Sequence, residues 1–505
     1  MHVPVLKTVA ALATLAALVL PAPAQATDAR SQNILLVIAD DLGVDKVGAY
    51  AADTDPTYAS TAQYLPETPT IDLLAESGVR FTDAWANPAC SPTRASLFTG
   101  RLPLRHGVGQ AIGKSGSTSL GLDETTIAQV MADAGYATGL FGKWHLGDGE
   151  TPSDWAEGES WDDHLGETVG VQYPPVALGW SKFQGTIADL DVGTWAGYYD
   201  YMEVVAVPRW GGWLVADASS EYATQATTQA ALSWIEKQTG PWFATVSYHA
   251  PHTPFQPPPA GCGYNESAKT PSADAAVYKL MVECMDEQLG ELLDSIAGLQ
   301  NTVVIFVGDN GTDDKVAEGV FADGRGKGTL YETGVRVPLV VADGHDYLNT
   351  LGVSGLSSAG VWNSRVANPN RTSDDLVHVA DLFATIGALG GGDTRSGDDA
   401  ASLVPVLSDT GTFERGPIAS EMYGASLGTL ALRRGDYKLL VTATMAEGSA
   451  CRSKYELFNV VDDRFEQTNL YHRSPTEAAR MILSLDELAA SAPGSWIDVP
   501  DCSES

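Results

Sequence analysis

The sequence predicts an α/β protein with a large, mainly parallel or mixed central sheet flanked by helices, and a smaller C-terminal α+β domain. Short β-branched apolar runs alternate with amphipathic segments, which is typical of a mainly parallel sheet with helices on both faces. Polar residues cluster directly after several of these runs, where open α/β sheets carry their sites. After about residue 410 the pattern changes to short strands and one helix. We therefore expect one domain over residues 30–410 and a second over residues 411–505.

The first elements are predicted by local patterns. Asn33–Ala39 (NILLVIA) is a continuous β-branched apolar run, which predicts a buried parallel strand. Pro69–Glu76 is a predicted helix, because Thr68 can act as N-cap and proline suits the first helical position. Residues 123–134 predict a second amphipathic helix, and residues 136–141 predict the strand that follows it.

The same patterns predict the later elements: strands at residues 242–248 and 302–307, a long helix at 272–297, C-terminal strands at 430–441 and 455–459, and a helix near 475–490. Residues 151–235 differ, because they are rich in glycine, and six of the chain's twelve tryptophans lie between residues 155 and 213. We expect long loops there, lying over the functional edge of the sheet. Their aromatic side chains suit stacking on a sugar or aryl ring, or packing of the loops themselves.

The composition is that of a globular protein, with 505 residues and a formal charge of −34 from 30 basic and 64 acidic residues. This charge argues against a nucleic-acid partner, which a protein binds by neutralising phosphates with Lys and Arg. It also argues against attachment to a membrane of anionic lipid. An anionic substrate would be repelled by the overall field, so its site must be locally basic.

The N-terminus has the features of a secretory signal over residues 1–26. Lys7 precedes an apolar run at residues 9–20, and Ala-x-Ala sites end at Ala24 and Ala26. A buried N-terminal helix is the alternative. The run is shorter than the roughly 20 apolar residues that span a bilayer. We therefore expect an exported protein, either periplasmic or secreted.

Export makes the five cysteines informative. An odd number in an oxidising compartment leaves one cysteine unpaired or chemically special. Four cysteines allow three connectivities, and proximity in the sequence favours Cys262–Cys284 and Cys451–Cys502. Cys90 would then be the odd one.

Cys90 opens the string CSPTRASLFTGR at a predicted helix N-terminus, one turn before Arg94. The positive field at such a position favours a thiolate or another anion. From the residues alone, Cys90 is a nucleophile, a metal ligand or a structural thiol.

Two strand ends carry hard oxygen donors. Asp40 and Asp41 follow the first predicted strand, and Asp309 and Asn310 follow the strand at residues 302–307. Such oxygens suit Ca²⁺ or Mg²⁺. Asp40 and Asp41 alone would equally suit a helix N-cap.

The string CSPTRASLFTGR resembles the signature of the type I sulfatases, in the alkaline phosphatase superfamily. Other strings that resemble this family follow in family order: ADDLG at 39–43, GYATGLFGKWHLG at 135–147, HAPHTPF at 249–255, GDNGT at 308–312 and GKGTLYETGVRVP at 326–338. The resemblance runs from about residue 32 to about residue 470. It implies an alkaline-phosphatase-like fold, with residues 30–410 as the catalytic domain.

The resemblance implies a nucleophile and a metal site. A separate maturation enzyme would convert Cys90 to Cα-formylglycine, whose hydrate offers one hydroxyl to attack sulfur and another to expel sulfate. Asp40, Asp41, Asp309 and Asn310, together with the residue at position 90, would bind calcium rather than magnesium. Asp309 would also serve as the base for the nucleophile.

Basic side chains complete the implied site. Arg94 would stabilise the hydrate and its negative charge. Lys143 and His145 form an i, i+2 pair after a strand end, so both can face one centre. By resemblance Lys143 would bind a sulfate oxygen, and His145 would assist proton loss when sulfate is released.

The leaving group would be handled by two further residues. By resemblance, His252 and Lys327 would bind the ester oxygen and protonate the departing alcohol. His249 would be a secondary site residue or a structural histidine.

We therefore expect an exported sulfatase that hydrolyses an organic sulfate monoester, aryl or carbohydrate, to an alcohol and inorganic sulfate. One alternative is a phosphonate or phosphate monoester hydrolase of the same superfamily. Another is a catalytically inactive sulfoglycan-binding homologue. The expected partners are a sulfated small molecule or glycan and the maturation enzyme, and the sequence leaves the oligomeric state open.

Overall fold

The computed structural model describes residues 32–54, 56–113, 118–147, 168–169, 175–190, 196–206, 214–262, 273–353, 365–411, 413, 415–446 and 449–502. The predicted signal at residues 1–26 lies outside these ranges and stays a prediction. Within them, no helix combines the length and the apolar character that crossing a membrane requires.

The strands of the described ranges are β1 (Asn33–Ala39), β2 (Gly78–Phe81), β3 (Ala84–Trp85), β4 (Ala137–Lys143), β5 (Thr168–Val169), β6 (Lys182–Thr186), β7 (Tyr201–Ala206), β8 (Leu214–Ser219), β9 (Trp242–Ser247), β10 (Thr302–Gly308), β11 (Leu339–Asp343), β12 (Arg371–Ser373), β13 (Val377–His378), β14 (Ile418–Tyr423), β15 (Leu427–Arg434), β16 (Tyr437–Ala446) and β17 (Ser449–Asn459). The α-helices are α1 (Gly48–Thr54), α2 (Pro56–Thr61), α3 (Pro69–Glu76), α4 (Cys90–Thr99), α5 (Pro103–His106), α6 (Ile127–Asp133), α7 (Ala223–Ile235), α8 (Asp274–Ser295), α9 (Glu332–Val335), α10 (Gly344–Thr350), α11 (Asp381–Gly390), α12 (Val404–Leu407) and α13 (Pro475–Ser491).

Strand β1 lies inside a large mixed sheet. Among the described residues this sheet has eleven strands, in the order β12-β2-β11-β10-β1-β9-β4-β6-β7-β8-β5. The five strands from β10 to β6 are mutually parallel, whereas the pairs β10–β11, β11–β2, β6–β7, β7–β8 and β8–β5 are antiparallel. The predicted large central sheet, mainly parallel or mixed, is confirmed.

Alternate side chains of β1 enter two apolar cores, one on each face of the sheet. Ile34, Leu36 and Ile38 pack in the core that includes residues of α4, α6 and α11. Leu35 and Val37 pack in the other core, with residues of α3, α7 and α8. Because helices cover both faces, the strand is apolar along its whole length rather than alternating.

Two predicted boundaries were wrong for local reasons. The helix predicted at residues 123–134 begins only at Ile127, because Thr126 and Gln129 form a reciprocal capping box that fixes the helix start. The strand predicted at 430–441 is two strands. Gly435, with a φ of 59°, lies in the turn that joins β15 to β16 as an antiparallel hairpin.

The expectation of long loops over residues 151–235 was wrong for most of the described part. Strand β6 pairs in parallel with the end of β4, and β7 and β8 extend the sheet beyond it. Of the six tryptophans between residues 155 and 213, Trp180 is buried against Phe98 and Trp144. The other five lie outside the described residues: Trp155, Trp161, Trp195, Trp210 and Trp213.

The C-terminal part forms the predicted smaller α+β unit. Strands β14 to β17 make an antiparallel sheet, and α13 packs against it in a separate apolar core. The disulfides Cys262–Cys284 and Cys451–Cys502 are both present, and Cys90 is a free thiol, so the predicted pairing is confirmed. The division of the chain at residue 410 stays a prediction.

A buried carboxyl links the small sheet to the end of the chain. Glu421 on β14 is fully buried, and its Oε2 atom accepts a hydrogen bond from Trp496 Nε1 at 2.9 Å. Burial raises the pKa of Glu421 to about 8, although the bond from Trp496 acts in the opposite direction. Glu421 is therefore a neutral acid in the folded protein at neutral pH.

We predict that Glu421→Gln stabilises the protein increasingly as the pH rises towards 8. Between the ordinary glutamate pKa and about 8, the unfolded chain loses the proton whereas the folded chain keeps it, so the parent loses stability. The stability difference between variant and parent should grow by up to about 1.4 kcal/mol per pH unit across this window. Denaturant unfolding at several pH values measures it, with Glu487→Gln on the exposed face of α13 as control. If the free energy of unfolding changed with pH in the same way in the parent and in the Glu421 variant, the prediction would be contradicted.

Candidate active site

The parallel pairing of β1 with β10 brings two acidic strand ends together. The last residues of the two strands lie opposite each other in the register, so Asp40 and Asp309 leave the sheet side by side. The Asp41 amide donates to Asp309 Oδ1 at 3.0 Å, and Asn310 Nδ2 donates to Asp41 Oδ1 at 2.8 Å. The four predicted oxygen donors therefore form one buried cluster.

Two oxygens of this cluster fit a bound cation. Asp40 Oδ1 and Asn310 Oδ1 are buried and accept no hydrogen bond from the described residues. Potential ligand atoms of Asp40, Asp41, Cys90 and His252 lie within 4.8 Å of one another. Buried polar atoms are costly unless a partner satisfies them. Carboxylate and amide oxygens are ligands of Ca²⁺ and Mg²⁺, so the donor set fits a hard divalent ion.

Cys90 lies beside this cluster at the N-terminus of α4. Its side chain is buried. Burial and the Asp40 carboxylate raise the pKa of the thiol well above its ordinary range, although Lys143 and Lys327 act in the opposite direction. The expectation that the local field favours a thiolate was therefore wrong, and unmodified Cys90 is a neutral thiol.

Arg94 connects α4 to three strand ends. Its Nη2 and Nε atoms donate to Asp309 Oδ2 at 2.8 and 3.1 Å, while Nη1 donates to the Lys143 carbonyl at 3.0 Å and to Ser247 Oγ at 2.5 Å. Burial opposes the guanidinium charge, but Asp309 and Asp40 outweigh it and raise the pKa of Arg94. Burial and Asp40 raise the pKa of Asp309 to about 7.

Lys143 reaches the acidic cluster from the end of β4. Its buried ammonium forms ion pairs with Asp40 and with Asp189. Burial opposes this charge, but the two carboxylates outweigh it and raise the pKa of Lys143. Burial likewise opposes ionisation of Asp40, but Lys143, His252 and Arg94 hold its pKa well below the ordinary range. The site is a network of mutually compensating charges.

The residue that the sequence reasoning missed is Asp189. It lies just after β6, in a segment that we expected to be loop, and no family string marks it. The signal that could have identified it is an acidic residue three positions past the end of a strand that pairs with β4. This signal can be recognised only when the pairing of β6 with β4 is already known.

Two histidines point towards carboxylates of the cluster. His252 Nε2 lies 3.9 Å from Asp41 Oδ2 and 4.0 Å from Asp189 Oδ1. His145 Nδ1 lies 3.7 Å from Asp189 Oδ1. Burial lowers the pKa of His145 to about 4, although Asp189 acts in the opposite direction. His145 is therefore a neutral imidazole at neutral pH.

His249 has a hydroxyl partner, which agrees with its structural alternative. Its Nε2 atom lies 2.6 Å from Thr186 Oγ1, and burial lowers its pKa well below the ordinary value. The Tyr198 hydroxyl donates to the carbonyls of His249 and His252, both at 2.9 Å, and so fixes the backbone of the loop that carries these two histidines. Tyr199 is 38% exposed and stays a candidate for contact with a substrate ring.

Lys327 completes the cluster from a loop that the small sheet holds in place. Its Nζ atom lies 2.7 Å from Asp41 Oδ1. The same loop leads into α9, where Glu332 Oε1 accepts a bond from Lys438 Nζ at 3.1 Å. Glu466 lies 2.9 Å from Lys438 Nζ and accepts a hydrogen bond from the Glu332 amide at 2.6 Å. We call Glu332, Lys438 and Glu466 the bridging triad.

The structure thus brings all ten predicted site residues into one connected cluster: Asp40, Asp41, Cys90, Arg94, Lys143, His145, His252, Asp309, Asn310 and Lys327. The sulfatase family model matches residues 32–392, which include every one of them. The chain belongs to the sulfatase family. It is 30% identical to human arylsulfatase A over 441 residues, which is 81% of this chain and 75% of that protein. It is 29% identical to rat (Rattus norvegicus) arylsulfatase G over 492 residues, covering 89% and 84%.

Solved sulfatase structures share the fold. The PsFucS1 sulfatase from Pseudoalteromonas sp. aligns with a TM-score of 0.64 at 21% identity, covering 92% of both chains. A protein solved in complex with its substrate D-glucosamine-2-N,6-O-disulfate aligns with a TM-score of 0.63 at 17% identity, covering 92% of this chain and 98% of that one. This chain is therefore a type I sulfatase of the alkaline phosphatase superfamily, and its activity is that of a sulfuric ester hydrolase.

The backbone that presents Lys143 requires glycine immediately before it. Gly142 has a φ of 96°, in the left-handed region, and a Cβ there would lie 2.0 Å from the Ser247 carbonyl oxygen on β9. Gly135, before the same strand, has a φ of 91° but no atom within 4 Å of a Cβ. The two glycines therefore separate the cost of the conformation from the cost of the clash.

We predict that Gly142→Ala lowers the free energy of unfolding by more than about 3 kcal/mol and strongly reduces kcat/KM for an aryl sulfate. Gly135→Ala should cost about 1–2 kcal/mol, the price of a left-handed alanine, and leave kcat/KM nearly unchanged. Denaturant unfolding and steady-state kinetics measure both. Equal losses of unfolding free energy and of kcat/KM in the two variants would show that the close contact between Gly142 and β9 does not matter.

Proposed function

We propose that this sulfatase hydrolyses an organic sulfate monoester, aryl or carbohydrate, at the cluster around Cys90. The observation that carries the proposal is that Cys90, a buried set of oxygen donors and three basic side chains lie together. Arg94, Lys143 and Lys327, together with a divalent cation, would make the site locally basic, as an anionic ester requires on a chain of charge −34. The arylsulfatase relatives and the structural relative with a sulfated sugar support these two substrate classes.

Asp40, Asp41, Asp309 and Asn310 would hold the cation, together with the residue at position 90. When bound, the ion would neutralise charge on the sulfate group and orient the nucleophile. The two buried oxygens that accept no hydrogen bond support this role. Calcium suits the set better than magnesium, because it accepts irregular coordination by many oxygens.

The nucleophile would be Cα-formylglycine, made from Cys90 by a maturation enzyme. Its hydrate supplies two hydroxyls on one carbon, one to attack sulfur and one to drive the release of sulfate. Unmodified Cys90 is a neutral, buried thiol and hence a weak nucleophile, which favours a chemically altered side chain. Asp309 would take the proton of the attacking hydroxyl, and Arg94 would stabilise the negative charge that develops.

The remaining side chains would act on sulfate and on the leaving group. Lys143 would bind a sulfate oxygen, and neutral His145 would accept a proton during sulfate release. His252 and Lys327 would bind the ester oxygen and supply a proton to the departing alcohol. Both of these residues contact Asp41, so the leaving-group side would share one carboxylate with the cation.

Export is part of the proposal. The signal-like residues 1–26 and the two disulfides both agree with an oxidising compartment, periplasmic or extracellular.

The decisive experiment compares turnover of an aryl sulfate with that of the matching aryl phosphonate monoester, using protein from a maturation-competent host. We expect a preference for the sulfate. A large phosphonate preference would instead assign a phosphonate monoester hydrolase. Tight binding of a sulfoglycan without turnover of either ester would assign an inactive homologue.

We predict that mass spectrometry of the peptide around residue 90 detects the aldehyde and its hydrate. Cys90→Ser should release about one equivalent of alcohol per protein and then stall, because a serine ester has no comparable route to expel sulfate. Burst-phase kinetics measure this. Unmodified cysteine in an active protein, or steady turnover by the serine variant, would refute the nucleophile.

We predict that a chelator abolishes turnover and lowers the melting temperature, and that calcium restores both. Calcium at about 100 times its Kd should add about 2.7 kcal/mol to the free energy of unfolding. Asp40→Asn is the matched variant, and calcium should raise its melting temperature much less. Full activity in exhaustively chelated protein would contradict the cation site.

A further inference from the structure

One carboxylate lies among the basic side chains that would handle the sulfate group. Asp189 forms an ion pair with Lys143, and its Oδ1 atom lies 3.7 Å from His145 Nδ1 and 4.0 Å from His252 Nε2. The side chain is 26% exposed, so a ligand can approach it from solvent. A negative charge at this position repels any anion that enters the site.

The backbone fixes this carboxylate in place. The carbonyls of Thr186 and Ile187 accept hydrogen bonds from the amides of the two residues after Lys143, at 3.0 and 2.9 Å. The pairing of β6 with β4 therefore continues almost to Asp189. Burial opposes ionisation, but the basic groups around the carboxylate, with the paired Lys143 ammonium among them, outweigh it and hold the pKa of Asp189 well below its ordinary range. The side chain is a fixed, permanent negative charge.

We propose that Asp189 sets the preference of this site for singly charged esters over doubly charged ones, an inference that rests on the proposed sulfatase function. A sulfate monoester carries one negative charge, whereas a phosphate monoester carries about 1.5 to 2 at neutral pH. Coulomb repulsion is proportional to charge, so Asp189 repels the phosphate ester more strongly than the sulfate ester. Specificity arises here from a repulsive element directed against the wrong ligand.

A purely structural role for Asp189 leads to a different expectation. If the carboxylate served only to hold Lys143, its removal would misplace that ammonium for every substrate. All esters would then lose activity by the same factor. The charge-based role instead changes the ratio between substrates, which a structural role leaves unchanged.

The test compares Asp189→Asn with the parent enzyme on three esters of one aryl alcohol: the sulfate, a phosphonate monoester and the phosphate. The first two carry a single charge. We expect kcat/KM for the phosphate to rise about tenfold relative to either singly charged ester, because a repelling charge is lost. The sulfate-to-phosphonate ratio should stay within about twofold of the parent value. Asp200→Asn, in an exposed turn before β7, removes the same charge elsewhere and should change no ratio.

Asp189→Glu keeps the charge and should retain the parent's ratios of kcat/KM between the three esters, even if kcat/KM falls for all of them. An unchanged phosphate-to-phosphonate ratio in Asp189→Asn would overturn the proposal, as would an equal loss on all three esters. If the parent prefers the phosphonate to the sulfate, the proposed sulfatase function fails. The phosphate-to-phosphonate ratio still tests Asp189 in that case.

Discussion

The parallel register of β1 with β10 is the constraint on which the rest of the site depends. Because the two strands end at the same level, Asp40 and Asp309 lie side by side, and the chain can place four oxygen donors in one cluster. Both strands are buried between two apolar cores, so a shift of either would expose apolar side chains or separate the donors. The packing that stabilises the sheet therefore also fixes the geometry of the cluster.

The close approach of these carboxylates requires charge compensation. Buried ions are stable only when partners replace the water that they lose. Three ion pairs provide this compensation: Arg94 with Asp309, Lys143 with Asp40, and Lys327 with Asp41. In each pair, the basic side chain comes from a different structural element than the carboxylate. The ion pairs that neutralise the buried carboxylates therefore also bind α4, β4 and the loop of Lys327 to the ends of β1 and β10.

Sequence patterns predicted the central strands, the long helices, the disulfides and ten residues of the cluster. They succeeded where the signal is local: continuous apolar runs, caps, and ordered family strings. They failed for β6, whose sequence KFQGT has no clear apolar period, and consequently for Asp189, whose neighbours follow from the pairing of β6 with β4. The protonation of Cys90 was also missed, because burial depends on tertiary packing rather than on helix position.

The bridging triad has a consequence for how the protein is made. Lys438 lies 106 positions after Glu332, and Glu466 lies 134 positions after it, yet the three side chains meet next to the loop that carries Lys327. During synthesis this loop emerges from the ribosome long before its supports exist. The ion pairs that hold it can form only after the last strands have been translated, so a nascent chain that ends before residue 438 carries the ten clustered residues without a completed site.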